Sequence, residues 1–278
     1  MTAAVDVAGA NGAVRLEVVG HIGVITINRA DARNAINGDV AVGIEAAIDR
    51  VEDDDDIWVG VLTGTPPVFC AGADLKEIQA GHRDRLRTER GGFAGIVTRN
   101  RRKPMIAAVE GSALAGGTEI CLACDLIVAS TTAKFGIPEV KRGLVAAGGG
   151  LFRLPRRLPF ATAMELALTG EPIDAARAHS LGMVSRVTET GGALDGALAL
   201  ARLIETNAPG AVQASRRVMI AAAGADDATG WRLSEDAMVD AMAGEERLEG
   251  IAAFVEKRKP VWTSATTPLT GHPTIVSS

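Results

Sequence analysis

Two short β-rich runs, Arg15 to Val19 and Val24 to Ile27, are separated by Gly20 to Gly23, a pattern that predicts a hairpin near the start of the chain. In Asn37 to Val51 the apolar residues Val40, Ile44, Ile48 and Val51 recur at helical spacing, with Asn37 placed to cap the first turn. Ile57 to Thr63, Met105 to Val109 and Leu126 to Ala129 are short, apolar and partly β-branched, and read as buried strands. From Asp174 the spacing becomes helical. A short strand, Met183 to Val187, interrupts it at Gly182 before two long helical stretches, Ala193 to Ala223 and Trp231 to Lys257. Strands alternating with helices predict a layered α/β core. The acidic run Glu52 to Asp56 reads as a solvated turn, and Thr263 to Ser278, rich in Thr, Ser and Pro, as a flexible tail.

Composition narrows the class. The 278 residues, 47% hydrophobic and 23% charged, suffice for one main core with a small appendage. A formal charge of −5 argues against nucleic acid as a partner, since such binders carry a basic face. No stretch approaches the roughly 18 apolar residues of a membrane span, and Met1 to Ala13 lacks a basic region followed by an apolar run. A cytoplasmic location is therefore expected. Cys70, Cys121 and Cys124 are too few for a disulfide framework. The C-x-x-C spacing of the last two lacks the further ligands a zinc site needs, so all three read as small core residues and no metal is expected.

Two glycine-containing turns carry candidate chemistry. Phe69-Cys70-Ala71-Gly72-Ala73-Asp74-Leu75 ends a strand and opens a helix, and Gly111-Ser112-Ala113-Leu114-Ala115-Gly116-Gly117-Thr118-Glu119 does the same. Small residues let backbone N–H groups approach a ligand, and such donors stabilise a developing negative oxygen. Ser112 does not sit in a G-x-S-x-G elbow, which speaks against a serine hydrolase.

Taken together these segments carry a resemblance. Lys103 to Gly111 leading into Ala115-Gly116-Gly117-Thr118-Glu119 and Cys124-Asp125 is similar to the signature of the enoyl-CoA hydratase (crotonase) family. Ala71 to Lys76, Lys134 to Glu139, Leu168-Thr169-Gly170 and Ala253 to Arg258 match further family motifs in order, so the likeness runs from about Val14 to Trp262. Within the family, Val140 to Gly143 and Arg258 to Trp262 look somewhat like the carnitinyl-CoA dehydratase branch.

The resemblance implies an α/β crotonase fold, a spiral of β-β-α turns followed by a C-terminal helical oligomerisation region. The expected divisions are a flexible N-terminus at 1–13, a core at 14–195, the helical region at 196–262 and the tail at 263–278. It further implies a homotrimer or homohexamer acting on acyl-CoA thioesters, with no cofactor beyond the coenzyme A of the substrate. Ala71 and Gly116 are then the oxyanion-hole donors, and Glu119 and Glu139 the acid/base pair that adds water to a 2-enoyl-CoA. Ala73, Asp74, Leu75, the segment around Arg33, and Lys257 are the implied CoA contacts. Other reactions of the family, isomerisation or a specialised acyl-CoA dehydration, are the alternative, as is a non-catalytic acyl-CoA-binding scaffold. Two segments depart from the family pattern: Val145 to Leu151, near Glu139, and Glu77 to Arg102. The second holds His82, Arg83, Arg85, Arg87 and Arg90 and reads first as a solvated face.

Overall fold

A computed structural model describes residues 5–7 and 9–263. It divides into two compact units at Arg202/Leu203.

The first unit begins with β1 (Val5–Asp6), β2 (Val14–Val19) and β3 (Ile22–Ile27), joined antiparallel. Within the stretch expected to be a flexible N-terminus, the described residues include β1, which pairs with β2, and Ala10, which is fully buried in the core. Next comes α1 (Gly38–Asp53), whose first turn is capped as expected, the Val40 N–H donating to Asn37 Oδ1 at 3.0 Å. Its apolar stripe, including Val40, Ile44, Ile48 and Val51, faces the core. Glu52 is not a solvated residue of an acidic turn. It is buried at 7% exposure, and its carboxylate accepts the backbone N–H groups of Arg102 and Lys103. These bonds offset the cost of burying its charge.

After α1 the chain runs through β4 (Val59–Gly64), α2 (Leu75–Gln79), the two-residue strands β5 (Arg87–Thr88) and β6 (Gly92–Phe93), and β7 (Met105–Val109). It continues through β8 (Ser112–Leu114), α3 (Gly116–Ala123), β9 (Leu126–Ser130) and β10 (Lys134–Gly136). The helices α4 (Gly150–Arg157), α5 (Phe160–Thr169) and α6 (Ala175–Ser180) follow, with β11 (Ile173–Asp174) before α6 and β12 (Arg186–Thr188) after it. A seven-stranded sheet has the order β1-β2-β3-β4-β7-β9-β12, parallel from β3 onward. Ile25, Leu62, Ala107 and Ile127 are register neighbours across it, and all four are fully buried. Strands covered on both faces are apolar throughout, which is why these segments stood out as continuous runs.

A second sheet, β11-β10-β8, takes one strand from each successive turn. β7-β8-α3 and then β9-β10 with the 3-10 helix Pro138–Arg142 form two windings of the expected β-β-α spiral. The carboxyl groups of Glu119 and Glu139 follow equivalent strands of the small sheet.

The second unit contains the end of α7 (Ala193–Glu205), then α8 (Pro209–Ala221), α9 (Asp227–Ala243) and α10 (Glu246–Glu256). The expected core boundary at 195/196 falls inside α7. Arg217 pairs with Asp240 at 2.6 Å, and both Arg258 Nη atoms reach Glu249. Trp231, Met238, Leu248, Ile251 and Phe254 are exposed. Residues 264–278, most of the expected tail, lie outside the described residues.

Candidate active site

The loop after β4 and the start of α3 are packed face to face. A Cβ on Gly72 would lie 3.0 Å from the Gly116 nitrogen and 2.8 Å from the Ala115 Cβ, so only glycine permits this approach. Cys70 forms a parallel bridge to Ala113, extending the small sheet toward the loop. The Asn34 side chain, fully buried, fixes the loop by donating to the Thr65 and Val68 carbonyls at 2.8 and 2.7 Å.

Which N–H groups remain free decides what this loop can bind. The Ala71 N–H donates to the Arg33 carbonyl at 3.1 Å, so Ala71 is not available as an oxyanion donor. This corrects the sequence expectation. Gly72, at φ +93°, turns the chain, and the Ala73 N–H has no acceptor among the described residues. Ala73 bridges Ile36, which bonds the Gly72 carbonyl and the Asp74 N–H. In a parallel bridge this arrangement directs the N–H of Ala73 itself the other way.

Across the gap, the first helical bond of α3 runs from the Glu119 N–H to the Ala115 carbonyl, leaving the Gly116 N–H as one of the orphan donors of a helix start. Ala115 holds φ 53° and ψ −125°, a left-handed conformation that a residue with a Cβ adopts only under constraint. Its N–H is tied to the Gly136 carbonyl at 2.9 Å. The Phe93 ring closes one side, since a Cβ at Gly116 would lie 2.5 Å from it.

Glu119 is 4% exposed. Its Oε1 accepts the Gly150 N–H at 2.9 Å, and the Gly148 backbone lies against the same carboxylate and favours its charged form. Burial pushes its pKa up; the backbone of Gly150 and Gly148 and the charge of Arg153 pull it back. The run Gly148-Gly149-Gly150 is therefore a cradle, in which a Cβ on Gly148 would meet Glu119 Oε2 at 2.6 Å.

Glu139 lies in the second winding, in the 3-10 helix. Burial, followed in importance by an opposing bond from its own N–H and then repulsion from Glu119, raises its pKa to about 7. Its Oε2 is a buried oxygen with no hydrogen-bond partner. The Glu119 charge thus adds to the rise at Glu139.

The remaining expected residues divide between the units. Arg33 is exposed, in a left-handed conformation at the end of the 3-10 turn Ala30–Ala32. Asp74 caps α2 through Lys76 N–H and pairs with Arg29 at 3.2 Å, and Leu75 is 49% exposed. The contribution of Arg29, which joins the two loops, was not legible in the sequence. Lys257 belongs to the second unit, at the left-handed C-terminus of α10. The basic segment is largely paired: Arg90 and Arg99 both bond Asp49 on α1, and His82 contacts Glu77.

The three cysteines are buried and in no disulfide, with Cys70 pushed up to about 12 by desolvation. A cavity of about 580 Å³ lies elsewhere, at the carboxyl ends of the parallel strands, lined by Thr26, Pro67, Glu110, Ser112 and Thr132 among others.

The spiral of β-β-α turns, with its small second sheet, is the crotonase fold. The family model for enoyl-CoA hydratase/isomerase matches residues 17–265. Enoyl-CoA hydratase EchA19 of Mycobacterium tuberculosis is 40% identical over 246 residues, 87% of this chain and 92% of the relative. A crystal structure of enoyl-CoA hydratase from Mycobacterium tuberculosis H37Rv superposes with TM-score 0.87 at 47% identity, covering 91% of this chain and 99% of the other. A carnitinyl-CoA hydratase from Mycobacterium avium does so with TM-score 0.72 at 44% identity, covering 91% and 99%. The chain is an enzyme of the enoyl-CoA hydratase/isomerase family.

Proposed function

We propose that the protein catalyses the reversible addition of water to the double bond of a 2-enoyl-CoA, with Ala73 and Gly116 N–H groups as the oxyanion hole. The observation that carries this reading is the pair of carboxyls on successive windings of the spiral, buried Glu119 and half-buried Glu139 with its enclosed Oε2. Polarisation of the thioester carbonyl makes Cβ electrophilic and accommodates the enolate charge. Glu119, as carboxylate, takes a proton from water while the oxygen bonds to Cβ; Glu139, as carboxylic acid, gives its proton to Cα. The product has gained one water, the two carboxyls have exchanged protonation states, and solvent exchange restores them.

The environments suit these roles. The backbone of Gly150 and Gly148 and the charge of Arg153 favour the charged form of Glu119, whereas Glu139 has an unpartnered buried oxygen and holds its proton to about pH 7. Arg33, Asp74 and Leu75 supply the rim for CoA, with Asp74 acting through backbone and shape because its carboxylate already caps α2. A homotrimer or homohexamer would cover the exposed Trp231, Met238 and Phe254 of the second unit. The reaction needs no metal or prosthetic group, and the expected location is cytoplasmic.

Loss of the enoyl-thioester absorbance with crotonyl-CoA and a longer 2-enoyl-CoA tests the proposal. Glu119→Gln and Glu139→Gln should each lower kcat by about two orders of magnitude or more. Turnover near the wild-type rate in either variant would overturn it.

A further inference from the structure

Arg153 lies on α4, the helix whose first residue donates to Glu119. Its Nη2 donates to the Val97 carbonyl at 2.6 Å and its Nη1 to the Gly148 carbonyl at 3.3 Å. The Gly148 backbone also lies against the Glu119 carboxylate. The guanidinium therefore grips the same turn that grips the base, and ties it to the segment following Phe93. A Cβ on Gly149 would fall 2.3 Å from Nη1, so the side chain passes directly over the glycine turn.

We propose that Arg153 is a positioning residue for Glu119: it fixes the Gly148–Gly150 cradle and sets a positive charge beside the base without touching substrate. The inference rests on Glu119 acting as the base in hydration.

A carboxyl buried as deeply as Glu119 favours its neutral form, in which it cannot accept a proton from water. Hydrogen-bond donors and an adjacent cation reverse that preference, and Arg153 supports both. The cation is itself held under protest. Burial pushes its pKa down and Glu119 supports its charge, while the neighbouring Arg101 and Arg156 oppose it. The groups facing the pair are Glu139 and Arg142 from the 3-10 helix, Cys124 at the end of α3, and these two arginines. The two bonds come from different nitrogens of one rigid fork, Nη2 to Val97 and Nη1 to Gly148, so lysine reproduces the charge but not this spread of donors.

The test compares Arg153→Met and Arg153→Lys, using pH profiles of kcat/KM with crotonyl-CoA and an infrared titration of the Glu119 carboxyl band, assigned by its loss in Glu119→Gln. Arg153→Met should move the acid limb and the carboxyl titration upward by about one pH unit and lower kcat at least tenfold, with KM within about threefold. Arg153→Lys should leave the acid limb near its wild-type position while kcat stays reduced. An unshifted Glu119 titration in a folded Arg153→Met protein overturns the inference. If that variant does not fold, wild-type kcat in Arg153→Lys overturns it. Turnover retained in Glu119→Gln is a separate result, and refutes the hydration mechanism itself.

Discussion

The Gly136 N–H donates to the Thr118 hydroxyl at 3.0 Å, joining two windings of the spiral at the residues that lead into Glu119 and Glu139. The hydroxyl is itself within hydrogen-bonding distance of the Ala113 carbonyl, at 2.7 Å, and is fully buried. Thr118 precedes one carboxyl directly, and Gly136 stands on the short connection to the other, so this bond ties together the segments that carry the two carboxyls proposed as base and acid.

Thr118→Val keeps the shape and removes the acceptor. The stranded Gly136 N–H should cost about 1–3 kcal/mol of stability in a denaturant titration. Because the reacting geometry tolerates little displacement, kcat should fall about tenfold or more with KM little changed. Thr118→Ser restores the hydroxyl and should return kcat to within about threefold of wild type.

The raised pKa of Glu139 makes a stability prediction. Its folded-state pKa of about 7 exceeds the ordinary glutamate value of 4.5, so between those values the folded protein binds more protons than the unfolded chain. Stability contributed by this group is complete below the unfolded pKa and is lost as pH rises through about 7. Glu139→Gln, neutral at every pH, should therefore raise Tm at pH 8, and the gain should shrink toward zero near pH 4. A gain independent of pH would contradict the burial of this carboxyl.

Gly148→Ala tests the cradle. The added methyl would lie 2.6 Å from Glu119 Oε2, and the carboxylate must give way because the turn is anchored by Arg153. Activity should drop at least tenfold in kcat. Wild-type kcat would mean that Glu119 works from another rotamer.

The thiols should be inert. Cys70 and Cys121 are held neutral by burial, and Cys124 is also buried. Iodoacetamide should leave all three unmodified in the native protein, by intact mass, and label all three after unfolding in guanidinium. Rapid native labelling would show that α3 opens.

Much of this was legible in the sequence because local patterns dictate it. The stripe Val40, Ile44, Ile48 and Val51 specified α1 and its burial, Asn37 its cap, and the apolar run Met105 to Val109 a strand with those same ends. What escaped depends on distant partners. A row of small residues from Ala71 to Ala73 does not reveal that the Arg33 carbonyl consumes one N–H and spares another. Neither does the acidic run reveal that Glu52 turns inward to meet Arg102 and Lys103. The segment Val145 to Leu151 stood out in the sequence only as a departure from the family pattern near Glu139. Its glycines make room for the Glu119 carboxylate, a requirement visible only when α3 and α4 are side by side.

The wall formed by Phe93 has an evolutionary corollary. Its segment is moored to α1, with Gly91 N–H and Thr88 bonded to Glu45, and Arg90 to Asp49. The ring is thus mounted on a helix that lies more than forty positions earlier in the chain. A descendant that gives this wall beside Gly116 another shape must accommodate Glu45 and Asp49 as well, so the two stretches should be inherited as a block, and chimeras that exchange only one should lose the bonds that moor it.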